Sequence, residues 1–401
     1  MIRLRRSSDL RESSLNPPAG GTGDSVASAP PDAHHIIRDF NDPYLELIRL
    51  LREASEIEHA LLVQYLYAAL SVSSQYPQVS GNPDFPNAHN LVGVALQEMQ
   101  HLHTVNRLLV TINASPGLVS QDFPYEPDIY PFPLNLEPMS PLSLARYVYA
   151  EAPAGVLDPA DPGNAGQGGF LTRLYEFLGN ARPNHVGSLY ATIIDVVREA
   201  SQSADSALPN PGPWVDSLTM IKGQGEHDHF LFFKQVFLGT HPGFQGQDVW
   251  SFSPDDPRYP ALPLPLNPSA FEGHPNQIQN EQTRQVAWLA NLQYWIILML
   301  LDLSYRRTDG GIFLGLSRNH MRFPLWALGK HLATLATGLP FDPLSMGYAP
   351  GAETGATMGI LRHLLGEAEQ WTIALRANLP TDYPLTTNQQ TLDRLNAIGA
   401  G

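Results

Sequence analysis

Residues 91–108 read Leu91-Val92-Gly93-Val94-Ala95-Leu96-Gln97-Glu98-Met99-Gln100-His101-Leu102-His103-Thr104-Val105-Asn106-Arg107-Leu108. Leu91, Val94, Ala95, Leu102, Val105 and Leu108 recur with the period of one helix face, and Glu98 and His101 stand on that same apolar face. A carboxylate and an imidazole one turn apart have Cβ atoms about 5–6 Å from each other, so one cation can take both. Chance placement of the glutamates and 14 histidines yields about 0.6 such Glu-x-x-His pairs in a chain of this length. The chain has three: Glu56/His59, Glu98/His101 and Glu226/His229.

Helical phase separates them. Glu226 and His229 share an apolar stripe with Leu218, Phe233 and Val236, whereas Glu56 and His59 fall in phase with Arg49, Arg52 and Glu53, a side expected to face water. On the first helix, read from Pro43 to about Ser73, the inward acid is Glu58, between Ala54 and Leu61. A third helix begins at Pro141 and stops at Pro153, and its inward acid is Glu151, beside Tyr147 and Val148. Glu199, on a helix over 185–203, competes with Glu151 for that role. Gln224 is a candidate donor behind the last pair, and His103, His227 and Asp228 are out of phase, as outer or surface groups.

Long Pro/Gly-rich connections separate these segments, at 76–87, 118–141, 154–168 and 241–275. Further helices are read at 169–180, 280–305, 322–336 and 355–377, and no strand pattern of useful length is found. The expected architecture is all-α. A Ser/Gly/Pro/Ala-rich flexible arm over 1–40 precedes a four-helix bundle over 41–240, with additional helices over 241–401 packing on it.

Four inward carboxylates cost several kcal/mol each, about, unless something cationic compensates them. Two divalent ions bring +4 against −4 and leave the histidines neutral and free to ligate. A lone Glu from each of two helices and Glu-x-x-His from each of two others is the ligand arrangement of dimetal carboxylate bundles. The candidate ligands are therefore Glu58, Glu98, His101, Glu151, Glu226 and His229. Oxygen-rich ligation with one imidazole per ion suits iron or manganese and leaves those two unresolved.

Composition narrows the partners. Lys and Arg number 24 against 39 Asp and Glu, a net charge of −15, which removes the electrostatic footprint of a nucleic-acid or anionic-membrane binder. With no cysteine, disulfides, thiolate nucleophiles and Cys-ligated metals are excluded. Met1–Pro18 carries arginines without an apolar segment behind them, and the most apolar stretch, 286–303, is interrupted by Asn291, Gln293 and Asp302. A soluble, cytoplasmic protein with a small-molecule substrate is expected, its self-association left open.

At Glu58-His59-Ala60-Leu61-Leu62 through Tyr65-Leu66-Tyr67-Ala68, Glu98-Met99-Gln100-His101-Leu102, Glu151-Ala152-Pro153, Gly187-Ser188-Leu189-Tyr190 and Gly223-Gln224-Gly225 ahead of His229-Phe230, the sequence resembles the ferritin-like domain of the iminophenylpyruvate dimer synthase type of violacein-like pigment pathways. It departs from that pattern at Gln224, where the family has Glu. The resemblance implies a metal-dependent oxidative enzyme of bacterial specialised metabolism, with an aromatic or amino-acid-derived substrate. A dimetal bundle suits a non-heme di-iron oxidase or oxygenase that takes O2 as co-substrate. The alternative is a metal-binding protein without organic turnover, for iron handling or as a binding module.

Overall fold

The computed structural model describes residue 36 and residues 38–118, 130–179, 185–202, 208–344 and 348–399. Along them the chain forms α1 (Pro43–Ser71), α2 (Leu91–Thr111), α3 (Pro141–Glu151), α4 (Gly168–Leu178), α5 (Val186–Ala200) and α6 (Gly212–Gly223). A π-turn (Gln224–His229) joins α6 to α7 (Phe230–Phe237), and α8 (Glu281–Arg306) and α9 (Gly310–His320) follow. A second π-turn (Met321–Leu325) leads into α10 (Trp326–Thr334), and α11 (Thr354–Ala374) and α12 (Thr387–Gly399) follow, with short helical turns such as Pro77–Ser80 and Pro162–Gln167 in the connections. Two isolated bridges, Val72 with Ala261 and Ser269 with Gln277, are the β pairing among the described residues. The fold is all-α.

Local chemistry sets the helix starts. Asp42 accepts from the amide of Leu45 with Pro43 in the first turn, Asn90 accepts from the amide of Gly93, and Ser140 and Ser143 cap each other reciprocally ahead of α3. Helix α1 is the hub: α2, α5 and α10 pack on it, α8 packs on α2, and the first π-turn lies against both α3 and α5. The described residues from 36 onward group as one body.

Enclosure changes the reading of α1. Glu53, Glu56 and His59, expected on a water-facing side, are buried. The later helices cover that side, and the Tyr294 hydroxyl of α8 meets Nε2 of His59 at 2.6 Å. Burial pushes the His59 imidazole down to about 4, so it stays neutral.

The expected helix over 322–336 is the second half of a longer rod. Pro324 sits in its π-turn, where wider winding accommodates a residue with no amide hydrogen. Helices α9 and α12 were not foreseen; α12 carries Asn388, Gln389, Gln390, Asp393 and Arg394, too polar to show a stripe. Most of the expected N-terminal arm lies outside the described residues. Its end is held: Arg38 donates to Glu199 at 2.7 Å, and the amides of Asp39 and Phe40 donate to Glu46. The helix long and apolar enough to cross a membrane, Glu281–Arg306, has 94% of its apolar window buried and is a core helix.

Candidate metal centre

Glu58 leaves α1 toward the bundle axis with Leu61 one turn on and Tyr65 two turns on, all on one face. Helix α2 contributes Glu98 and His101, α3 ends on Glu151 just before Pro153, and the first π-turn contributes His229. These five side chains are 0–5% exposed and converge. Two triads result, Glu58/Glu98/His101 and Glu98/Glu151/His229, in each of which one ligand atom per residue lies within 4.8 Å of the others.

Glu98 belongs to both. Its Oε2 is 2.9 Å from Nδ1 of His101 and its Oε1 is 2.9 Å from Nδ1 of His229, while the outer carboxylates stand at 3.4 Å (Glu58 to His101) and 3.5 Å (Glu151 to His229). The far sides of the groups repeat this pairwise symmetry. Nε2–H of His101 donates to Oε1 of Gln224, and Nε2–H of His229 donates to Oε1 of Gln97, both at 2.9 Å. An amide oxygen only accepts, so each ring carries its proton on Nε2 and turns Nδ1 toward the carboxylates. The Tyr190 hydroxyl donates to Oε1 of Glu58, and that of Tyr65 donates to Oε1 of Glu151 at 2.6 Å.

The arrangement fits a cation. Oε2 of Glu58, Oε1 of Glu98 and Nδ1 of His229 are buried without hydrogen-bond geometry to any partner, so their lone pairs face one another across the cluster. A cavity of about 10 Å³ lies among Glu58, Glu98, His101, Glu151 and Tyr190, room on the order of a single water or ion. Nitrogen and carboxylate donors without sulfur form a set for a divalent transition metal.

The electrostatics carry the same strain. Burial, then the charge of Glu98, pushes Glu58 up to about 8. Burial works against ionisation of Glu98 too, but two facing imidazoles outweigh it and hold that carboxyl well below its usual range. His229 is pushed up to about 9 and His101 well above its ordinary value, against burial, by the carboxylates they face. A divalent ion among these carboxylates would meet the same negative charge that raises the two imidazoles.

Glu226 stands apart from both triads, at the rim of the cavity, its Oε2 2.5 Å from Nζ of Lys222. Its winding explains this. An α-turn of about 3.6 residues leaves i and i+3 nearly on one face, but the i→i+5 winding of Gln224–His229 takes more residues per turn and swings Glu226 away from His229. Glu199, the competitor of Glu151, lies on the surface with Arg38, while Glu151 is in the cluster. His103 is buried against Ser304, and His227 is exposed beside Asp228. Gln97 and Lys222 were given no role from the sequence, and Tyr190 entered only within the Gly187–Tyr190 motif, since each meets its partner from a different helix or by a local contact that residue type does not announce.

Residues 51–211 match the model of the ferritin-like family, a stretch that carries Glu58, Glu98, His101 and Glu151; Glu226 and His229 lie beyond it. The chain is similar to dichlorochromopyrrolate synthase of Lentzea aerocolonigenes, 27% identical over 222 residues, which cover 50% of this chain and 20% of that protein. The match thus spans about a fifth of the length of that curated relative. No solved structure matches the chain.

Proposed function

We propose that the protein is a non-heme di-iron oxidase or oxygenase, with manganese as the alternative metal, that uses O2 to oxidise a small organic substrate. The observation that supports it is the pair of buried triads sharing Glu98. Glu58, His101, Glu151 and His229 would hold the ions, together with Glu98, which belongs to both triads. Bound iron supplies the electrons that reduce O2 and, once oxidised, the power to remove electrons from a substrate.

The chain's own residues do the rest. Tyr190 and Tyr65 keep the outer carboxylates turned inward, and Gln224 and Gln97 keep Nδ1 of both imidazoles as the ligating atom. Leu61, Val186 and Ile221 wall the cavity with hydrocarbon and limit water around it. The relative's name concerns dichlorochromopyrrolate, and by that likeness an aromatic, amino-acid-derived substrate is the class proposed here.

One observation favours a second reading, metal binding without organic turnover: the cavity at the cluster, about 10 Å³, has no room for an organic molecule as it stands. Metal analysis after anaerobic loading with Fe2+, followed by O2 uptake with and without aromatic amino acids and their keto acids, tests both. Bound iron in the native chain, lost in Glu98→Ala, is expected. O2 uptake that continues over many turnovers only with an organic compound supports the oxidase, and a single burst per iron supports iron handling. A correctly folded native chain that retains no metal would remove both.

A further inference from the structure

The cavity beside the cluster has a dry end and a wet end. Glu58, Glu98, His101, Glu151 and His229 have side chains 0–5% exposed. Lys222 and Glu226 line the same cavity, and their side chains are 30% and 17% exposed. Lys222 and Glu226 are therefore its charged groups in contact with water. Glu226 is also seated. Gly187 lies against it, and a Cβ at position 187 would clash with Oε1 of Glu226, so the carboxylate occupies a slot made by the absence of a side chain on α5. The ammonium of Lys222, four residues back at the end of α6, closes the other side at 2.5 Å.

We infer that Lys222 and Glu226 form the portal through which a divalent cation reaches the cluster, and that Glu226 is its first, transient ligand. The inference rests on the metal-binding reading above. A hydrated divalent ion arriving from water meets a carboxylate already occupied by a monovalent ammonium. The ion's greater charge displaces that ammonium, Glu226 takes the ion, and the buried carboxylates, closer to the imidazoles and less hydrated, take it onward. Lys222 acts as a positioning residue: it holds Glu226 at the mouth, away from the triads, and opposes monovalent cations that cannot displace it.

Stopped-flow mixing of the metal-free, full-length chain with Co2+, read by the visible absorption of the bound ion, gives uptake rate and final stoichiometry separately. Glu226→Gln is expected to slow uptake about tenfold, the low end of what a local field does to an association rate, with the final Co2+ per chain unchanged. Lys222→Met removes the competing ammonium and is expected to speed uptake severalfold. Glu199→Gln, an acid paired with Arg38 on the surface, controls for net charge and is expected to leave the rate as it is. Native rates in both Glu226→Gln and Lys222→Met would overturn the portal. So would a lower final stoichiometry in Glu226→Gln, which would make Glu226 a resident ligand. If the native chain takes up no Co2+ at all, the metal-binding reading fails first and the portal with it. Circular dichroism of each variant confirms that the helices are retained.

Discussion

Tyr190 shows how much of the cluster is set by single atoms. Its hydroxyl donates to Glu58, whose other oxygen already lacks a hydrogen bond. Tyr190→Phe therefore leaves a buried carboxylate with less support. Stability is expected to fall by about 1–3 kcal/mol, the cost of stranding a buried polar group, and metal affinity by roughly 10–100-fold, as for other residues that orient ligands. Urea denaturation and competition with a chelating dye check the two separately. Unchanged affinity would mean that Glu58 needs no orienting donor. At this scale the glutamates and histidines were legible because their types are rare on apolar stripes. Gln97 was not, since it is one residue from Glu98 and reaches His229 only because the π-turn lies across from α2. A residue's own helix says nothing about a neighbour across the bundle.

Among the elements, the turn Gln224–His229 departs furthest from its sequence reading. The stripe from Leu218 to Val236 is continuous enough to read as one helix, and one extra residue per turn leaves that stripe nearly intact while rotating Glu226 out of register. Periodicity averages over a window and is blind to such a local change; π-turns inside helices occur frequently at functional sites. Gly225 lets the turn approach α3. A Cβ there would lie 2.8 Å from Oε2 of Glu151, the oxygen facing His229. Gly225→Ala is expected to cost little stability, because a flexible carboxylate can yield, and to weaken the Glu98/Glu151/His229 half selectively. The expected readout is one Co2+ per chain lost or weakened on titration while thermal midpoints stay close to native. Two equal, native-like Co2+ sites in Gly225→Ala would show that Glu151 does not need its present position.

For the molecule as a whole, the later helices matter as much as the bundle. They turn α1 from an amphipathic rod into an enclosed one, and they enclose His320, whose Nδ1 and Nε2 bond Gln293 and Thr391 at 2.8 and 2.9 Å. Burial lowers this imidazole from 6.5 to about 3. Its folded form is thus neutral over a range in which the unfolded chain takes up a proton. Above pH about 6.5 it is neutral in both states and contributes no pH dependence; as pH falls from there toward 3, the unfolded state alone is protonated and stability is lost. Urea midpoints measured from pH 7.5 to 4.5 should decline less steeply in His320→Gln than in the native chain, after each is referred to its own value at pH 7.5. Parallel declines would contradict this. The apolar runs of α8 and α10 were readable as helices, but which side of α1 they would cover was not. Hydropathy registers that a surface will be buried and carries no address for its partner.

Glu98 serves both halves of the cluster with one carboxylate, an oxygen to each imidazole. Under the two-ion occupancy proposed above, the halves would be thermodynamically linked: whatever the first guest did to that shared group would change the terms met by the second, and reciprocally by the same factor. Such a centre would offer no pair of identical, independent sites, and half-filled molecules would be a distinct chemical species rather than an average of empty and full ones.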